Sequence, residues 1–143
     1  NDSTVIFDDG SVEIDKVYFK GCEGKPSIIE WKEDIKIIFE INLLKKLDCV
    51  FNITIFDKEQ RPIAVMKKNT EEEIGECEKG TLKFQLEHNN HQLSKGVYSI
   101  NIAVYNRKTN EPLLRVNNLT SFQVIYEENV WQPFMLDAQY SKI

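Results

Sequence analysis

His88 and His91 stand in the polar stretch "EHNNHQ" and are the first residues to test for chemistry. A pair at i, i+3 can grip a metal ion, but no cysteine or helical carboxylate completes a recognisable site here. Both are therefore read as solvent-exposed loop residues. The cysteines Cys22, Cys49 and Cys77 include no C-x-x-C pair, and an odd count cannot close a complete disulfide framework. Cys49, at the entry to a strand, reads as a small buried hydrophobe, and a reducing compartment is expected. "DDGS" (8–11) lacks the spaced carboxylates and closing glutamate of a calcium loop and reads as a turn into the first strand. The run Glu71, Glu72, Glu73 reads as a solvated loop, and the Asn-x-Ser/Thr triplets at Asn1, Asn52 and Asn118 read as chance. No G-x-S-x-G elbow, H-E-x-x-H or phosphate loop occurs. No catalytic residue, metal ligand or cofactor is assigned, and an enzyme is the least supported class.

Binding residues are better represented. In "LSKGVYSINIAVYN" (93–106), Tyr98, Ile100, Ile102 and Val104 form one row, and Ser99, Asn101, Ala103 and Tyr105 the other. The second row is polar yet uncharged, in a chain where 29% of residues carry charge. "DCVFNITIFD" (48–57) alternates in the same way, with Asn52, Thr54 and Phe56 opposite its apolar row, and "LTSFQVIY" (119–126) adds Ser121 and Gln123. If these strands lie side by side, with 61–68 at the edge, their outward residues converge into a band of amides, hydroxyls and aromatic rings. Saccharides suit such a surface: their hydroxyls take paired donor and acceptor bonds, and their C–H faces pack on rings. A protein-binding patch would more often centre on large apolar or arginine anchors. A polar face that merely solvates is the remaining alternative. Arg61 and Arg107, with Arg115, lie in turns or at strand ends and could meet an acidic sugar group through paired bonds.

The elements that must position these residues nearly all have period two. "SVEIDKVYFK" (11–20) sets Val12 and Ile14 on one side, then shifts phase to Val17 and Phe19, as a bulge would. "EDIKIIFEIN" (33–42) alternates Ile35, Ile37, Phe39 and Ile41 against Lys36, Ile38, Glu40 and Asn42, and "GTLKFQLE" (80–87) turns Leu82, Phe84 and Leu86 inward. Pro62 in "RPIAVMKK" (61–68) suits a strand start or an edge. No segment sustains a helical period. About seven or eight antiparallel strands with alternating faces indicate an all-β, immunoglobulin-like antiparallel sandwich. "G-V-Y" (96–98) fits either a tyrosine corner, its hydroxyl bonding back to the turn, or a plain core aromatic.

A chain of 143 residues suits one domain, assigned to 1–128, with a tail at 129–143. The formal charge of −5 argues against a nucleic-acid or anionic-membrane partner. No apolar run reaches the roughly 18 residues of a membrane span. The tail "NVWQPFMLDAQYSKI" is apolar, so it should either fold back or dock on another copy; the dimer, by strand exchange, is preferred. Trp31 reads as a core lid rather than a stacking platform.

The order of motifs resembles one family throughout. "DDGSVEIDKVYFKG", "EDIKIIFEINLLKKLDCVFNITIFDKEQRPI" and "LEHNNHQLSKGVYSINIAVYNRKTNEPLLRVNNLTSFQV" follow the pattern of the C-terminal domain of Wzt-type ATP-binding subunits of bacterial O-antigen polysaccharide ABC transporters. The specific pieces are the opening G-x-V/A-x-I strand and "L-x-x-G-x-Y-x-x-x-x-A-V", and the match covers about 8–126. The resemblance implies an immunoglobulin-like sandwich fused behind a nucleotide-binding domain at the cytoplasmic face of the inner membrane. It implies binding of the modified non-reducing end of a finished O-antigen chain, coupling chain completion to export. It also implies partnership with transporter nucleotide-binding and transmembrane subunits, and dimers with an exchanged terminal strand. G-x-x-x-x-G-K-[ST] is absent, so this chain alone is not expected to hydrolyse ATP. The rival reading is an adhesion or assembly sandwich acting through its edges and tail.

Overall fold

The computed structural model describes residues 3–67 and 74–143; Asn1 and the run Glu71, Glu72, Glu73 lie outside the described residues. Among the described residues the strands are β1 (Thr4–Asp8), β2 (Val12–Phe19), β3 (Ile28–Glu30), β4 (Ile35–Leu43), β5 (Leu47–Phe56), β6 (Pro62–Met66), β7 (Glu76–Cys77), β8 (Gly80–His88), β9 (Gly96–Asn106) and β10 (Pro112–Ile125). No helix forms among them. The larger sheet runs β1-β10-β9-β5-β6, with β3 joining β10 in parallel and β7 joining β5; the smaller runs β2-β4-β8.

The two sheets pack face to face because their apolar rows have nowhere else to go. Ile35, Ile37, Phe39 and Ile41 of β4 are at most 1% exposed, as are Ile53 of β5 and Ile100, Ile102 and Val104 of β9. Burying one such side chain stabilises the fold by about 1.5–3 kcal/mol before the entropy of ordering is set against it. Phe39 stacks on Phe84 at 5.0 Å, and Phe51 meets Phe84 at 4.6 Å, extending the core to the open edge beside β8.

The strand count exceeds the seven or eight expected. The additions are short: β1, β3 and β7 have 5, 3 and 2 residues, too few for alternation to register. "DDGS" accordingly does not lead into the first strand. It joins β1 in one sheet to β2 in the other, where Asp8 Oδ1 accepts the Gly10 N–H and Asp9 Oδ1 the Ser11 N–H. Gly10 sits at φ +87°, which only glycine adopts freely. The phase shift in β2 is a bulge between Ile14 and Lys16. Pro62 opens β6, an edge strand. The Tyr98 hydroxyl donates to Ser94 O at 2.6 Å, closing a tyrosine corner. Cys49 is buried, and burial pushes its thiol up to about 11. All three cysteines are free thiols.

His91 departs from its expected place. It is 1% exposed, while His88 stays in solvent. Its Nδ1 accepts the Leu93 N–H at 3.2 Å, so the proton sits on Nε2, which faces Glu30 O at 2.7 Å. Its backbone also exchanges bonds with Lys32 and Glu33. The turn is buried because every polar group of the ring is answered by the segment before β4. Desolvation, only partly opposed by the Glu30 bond, lowers the imidazole pKa from its ordinary value.

The tail's first half returns to its own domain. Phe134 bridges to Leu93, Ser94 N–H donates to Pro133 O, and Met135 N–H donates to Gln92 O. Trp31 is part of this clasp rather than a core lid: its indole N–H donates to Met135 O at 2.9 Å, and its ring meets Tyr126 at 4.9 Å. Lys32 ties down Asp137. Trp131 is left 88% exposed.

Candidate functional site: the outer face of the larger sheet

Strand register decides whether the neutral polar residues meet. Strand β5 pairs with β9 and β9 with β10, so the outward side chains form five cross-strand rows. From one end these are Val97–Gln123–Ile28; Phe56–Ser99–Ser121; Val65–Thr54–Asn101; Asn52–Ala103–Arg115–Phe7; and Val50–Tyr105–Pro112. Asn52, Thr54, Phe56, Ser99, Asn101, Tyr105 and Gln123 therefore share one face, as the period-two reading requires. These rows contain no carboxylate.

Within that face the residues do different things. Asn101 is held by a bulge: Asn117 to Leu119 of β10 lie opposite it alone, and Asn118 adopts φ +53°. Its Nδ2 donates to Asn117 Oδ1 at 2.9 Å, and its Oδ1 accepts the Asn118 N–H at 2.8 Å. Much of its hydrogen-bonding capacity thus fastens β10. Ser99 is 7% exposed, and its Oγ has no hydrogen-bond partner; Asn52 Oδ1 is likewise buried and unpartnered. An orphaned buried polar atom costs roughly 1–3 kcal/mol, and both lie beneath this face. Thr54, Phe56 and Tyr105 are half-buried, and Gln123 is exposed.

The arginines fall outside the rows or at their margin. Arg61 donates from its backbone N–H and Nε to Asp57 at 2.9 and 2.8 Å, and from Nη2 to Glu59 at 3.2 Å. The backbone bond is the leading cause holding the Asp57 carboxyl below its ordinary range. Arg107 Nε donates to Asp48 at 3.1 Å. Both guanidiniums are engaged by acids close to them. Arg115 alone of the three stands inside the rows, exposed, between Phe7 and Ala103.

Sequence reading missed the hollow beside this face. It measures about 550 Å³ and is lined by the 25–28 segment together with Val97, Asn118 and residues 120–123. Ser27 and Lys25 belong to no alternating pattern, so nothing in the sequence drew them toward β10.

Comparison with known proteins matches this architecture. The family model of the Wzt C-terminal domain matches residues 3–133. The chain belongs to the Wzt C-terminal domain family. A crystal structure of the C-terminal domain of wzt superposes with a TM-score of 0.81 at 14% identity, covering 99% of this chain and 89% of that one. A Niemann-Pick type C2 protein from Japanese carpenter ant gives a TM-score of 0.58 at 11% identity, over 85% of this chain and 100% of that one. At these identities the two structures show a shared fold alone. No curated protein matches the sequence. The Wzt_C match takes in all five rows of the outer face and ends within the returning part of the tail.

Proposed function

We propose that this domain is a non-catalytic carbohydrate-binding module that takes a saccharide on the outer face of the β6-β5-β9-β10 sheet. Its ligand is the modified non-reducing end of a lipid-linked O-antigen polysaccharide, and binding couples chain completion to export. Membership of the Wzt C-terminal domain family supports a carbohydrate-binding role in O-antigen export in general. The observation that carries the reading is the coexistence, in five adjacent rows without a carboxylate, of the Phe56 and Tyr105 rings with the neutral side chains of Asn52, Thr54, Ser99 and Gln123. Sugar hydroxyls take paired bonds from amides and hydroxyls, and rings such as Tyr105 or Phe56 can pack the sugar's C–H surface. Glycoside hydrolysis would need two carboxylates flanking the bond, and the rows hold none. In this reading the domain works at the cytoplasmic face of the inner membrane beside the transporter's nucleotide-binding and transmembrane subunits. No helix among the described residues is long and apolar enough to cross a membrane.

The test is calorimetry with O-antigen polysaccharide carrying or lacking its terminal modification. The modified chain should bind tighter, and Asn52→Ala and Tyr105→Ala should each weaken binding by about three- to tenfold with the fold intact. Wild-type affinity in both variants would remove the proposed face.

A second reading has its own observation. Trp131, Leu136 and Tyr140 are 88%, 71% and 100% exposed, and β1 leaves Val5, Ile6 and Phe7 in solvent. These surfaces suit an assembly contact, and we include a homodimer through the tail in the proposal. Deleting 138–143, which removes Tyr140 and leaves the clasp at residues 132–137 in place, should weaken the dimer on light scattering while glycan binding survives. Loss of partner binding in a protein that never binds glycan would favour the assembly reading.

A further inference from the structure

We propose that the hollow beside β3 seats an anionic group, a carboxylate or a phosphate, with the Lys25 ammonium as its counter-ion. The assignment rests on the saccharide reading of the adjoining face for the source of that group, and on the sheet's geometry for the seat itself. β1 pairs with β10 only as far as Asn117, and β3 takes over only at Gln123. Between them the β10 edge has no strand beside it among the described residues, and an open sheet edge presents unanswered backbone groups. The hollow lies against that gap, opposite the bulge that Asn101 fastens.

Its chemistry is one-sided. The residues that line it include Ser27, Asn118, Thr120, Ser121 and Gln123 with Lys25, and no Asp or Glu. Lys25 has no ion-pair partner among the described residues. A second hollow, about 660 Å³ and beside β1 and β2, makes the contrast: Asp8, Glu13, Asp15 and Glu23 line it with Lys16. Anions are repelled from that one and drawn to the first. The first hollow also falls within the roughly 300–1,000 Å³ of small-molecule sites. Ile28 and Val97, 47% and 46% exposed, give it an apolar sill. Gln123 belongs to both the hollow and the outer rows, so one saccharide can lie on the face and place its acidic group by Lys25. Arg61 and Arg107 already hold acids of their own, and Arg115 stands in another row outside this lining, so Lys25 is the cation of this hollow.

The experiment follows the backbone amide resonances of the whole chain at low salt, titrated separately with glucose, glucose 6-phosphate and inorganic phosphate. Both phosphate probes should move Ser27, Asn118 and Ser121. Lys25→Met should weaken them by roughly ten- to a hundredfold, as loss of a charge-assisted bond does, and Arg61→Gln should leave them unchanged. The proposal is overturned if Lys25→Met binds phosphate as the wild type does, or if the shifts map to other lysines. The two readings separate cleanly. Sugar shifts on the outer rows with none from phosphate in the hollow would remove the anion seat and keep the face. Phosphate shifts in the hollow with no sugar shifts anywhere would keep the seat and remove the saccharide face.

Discussion

The molecule has two outer faces built from the same period-two grammar, and they differ in how their polar groups are answered. On the smaller sheet, Lys16, Glu40 and Lys83 share one cross-strand row, and Lys36 lies opposite Glu87. There Glu40 accepts the Tyr18 hydroxyl at 3.0 Å and pairs with Lys83 at 3.8 Å, while Asn42 donates to Glu13 and Gln85 to Glu87, each at 3.3 Å. That bond to Glu40 is the main reason the Tyr18 hydroxyl is held above its ordinary pKa. This face solves its own hydrogen bonding. The outer face of the larger sheet has no carboxylate in its five rows and leaves two buried polar atoms unanswered. Self-paired charge solubilises a sheet and discourages edge-to-edge association. Neutral groups with spare capacity are what a polyhydroxylated ligand needs.

Matched substitutions can break this contrast. Gln123→Ala and Gln85→Ala remove the same side chain from the two faces. The first should weaken polysaccharide binding by about five- to tenfold, the loss of a direct hydrogen bond, and the second should leave it unchanged. Equal effects in a calorimetric titration would erase the distinction between the faces.

Asn101→Ala should act on stability rather than on binding alone. It strips both amide bonds from the β10 bulge and should cost about 1–3 kcal/mol in denaturant unfolding. Ser99→Ala should run the other way. Removing an unpartnered hydroxyl is expected to be neutral or stabilising by up to about 1 kcal/mol, yet polysaccharide affinity should fall. A clear loss of stability there would mean that the hydroxyl is answered in solution.

The smallest effect concerns His91 and the tail. Its folded-state pKa lies below 6.5, because desolvation disfavours the charged ring. The unfolded chain then binds a proton that the folded chain refuses, so this contribution is complete above about pH 6.5 and is lost as pH falls through the folded value. Glu30 and Glu33 temper the shift, and His88 adds to it. Protonation at Nδ1 would oppose the Leu93 N–H, so the 91–94 segment and the tail docked on it should loosen first. Tryptophan emission from Trp31 should therefore change at mildly acid pH before global unfolding, and His91→Gln should flatten that change.

Much of the fold was legible in the sequence. Alternation in 33–42, 48–57 and 97–106 names the core, and their polar counter-rows name the shared outer face. What was not legible depends on partners distant in the chain. β1 and β3 are too short to show a period, and only β10 gives them a place. "LTSFQVIY" alternates only from Leu119, so the first part of β10 from Pro112 and the bulge at Asn117 to Leu119 are visible only against β9. "EHNNHQ" is polar enough for a surface loop, but the backbone of Glu30 and Leu93 makes His91 an interior residue. Arg61 and Arg107 look like free cations until Asp57 and Asp48 are placed beside them.

The central claim is that the outer face of the β6-β5-β9-β10 sheet binds saccharide. The most direct measurement is amide chemical-shift mapping of the chain with purified O-antigen polysaccharide bearing its terminal modification. The account predicts shifts concentrated on the outward positions of β5, β9 and β10, from Asn52 to Gln123, with β2, β4 and β8 silent. Shifts confined to the smaller sheet, or to the β1 edge and the tail, would contradict it.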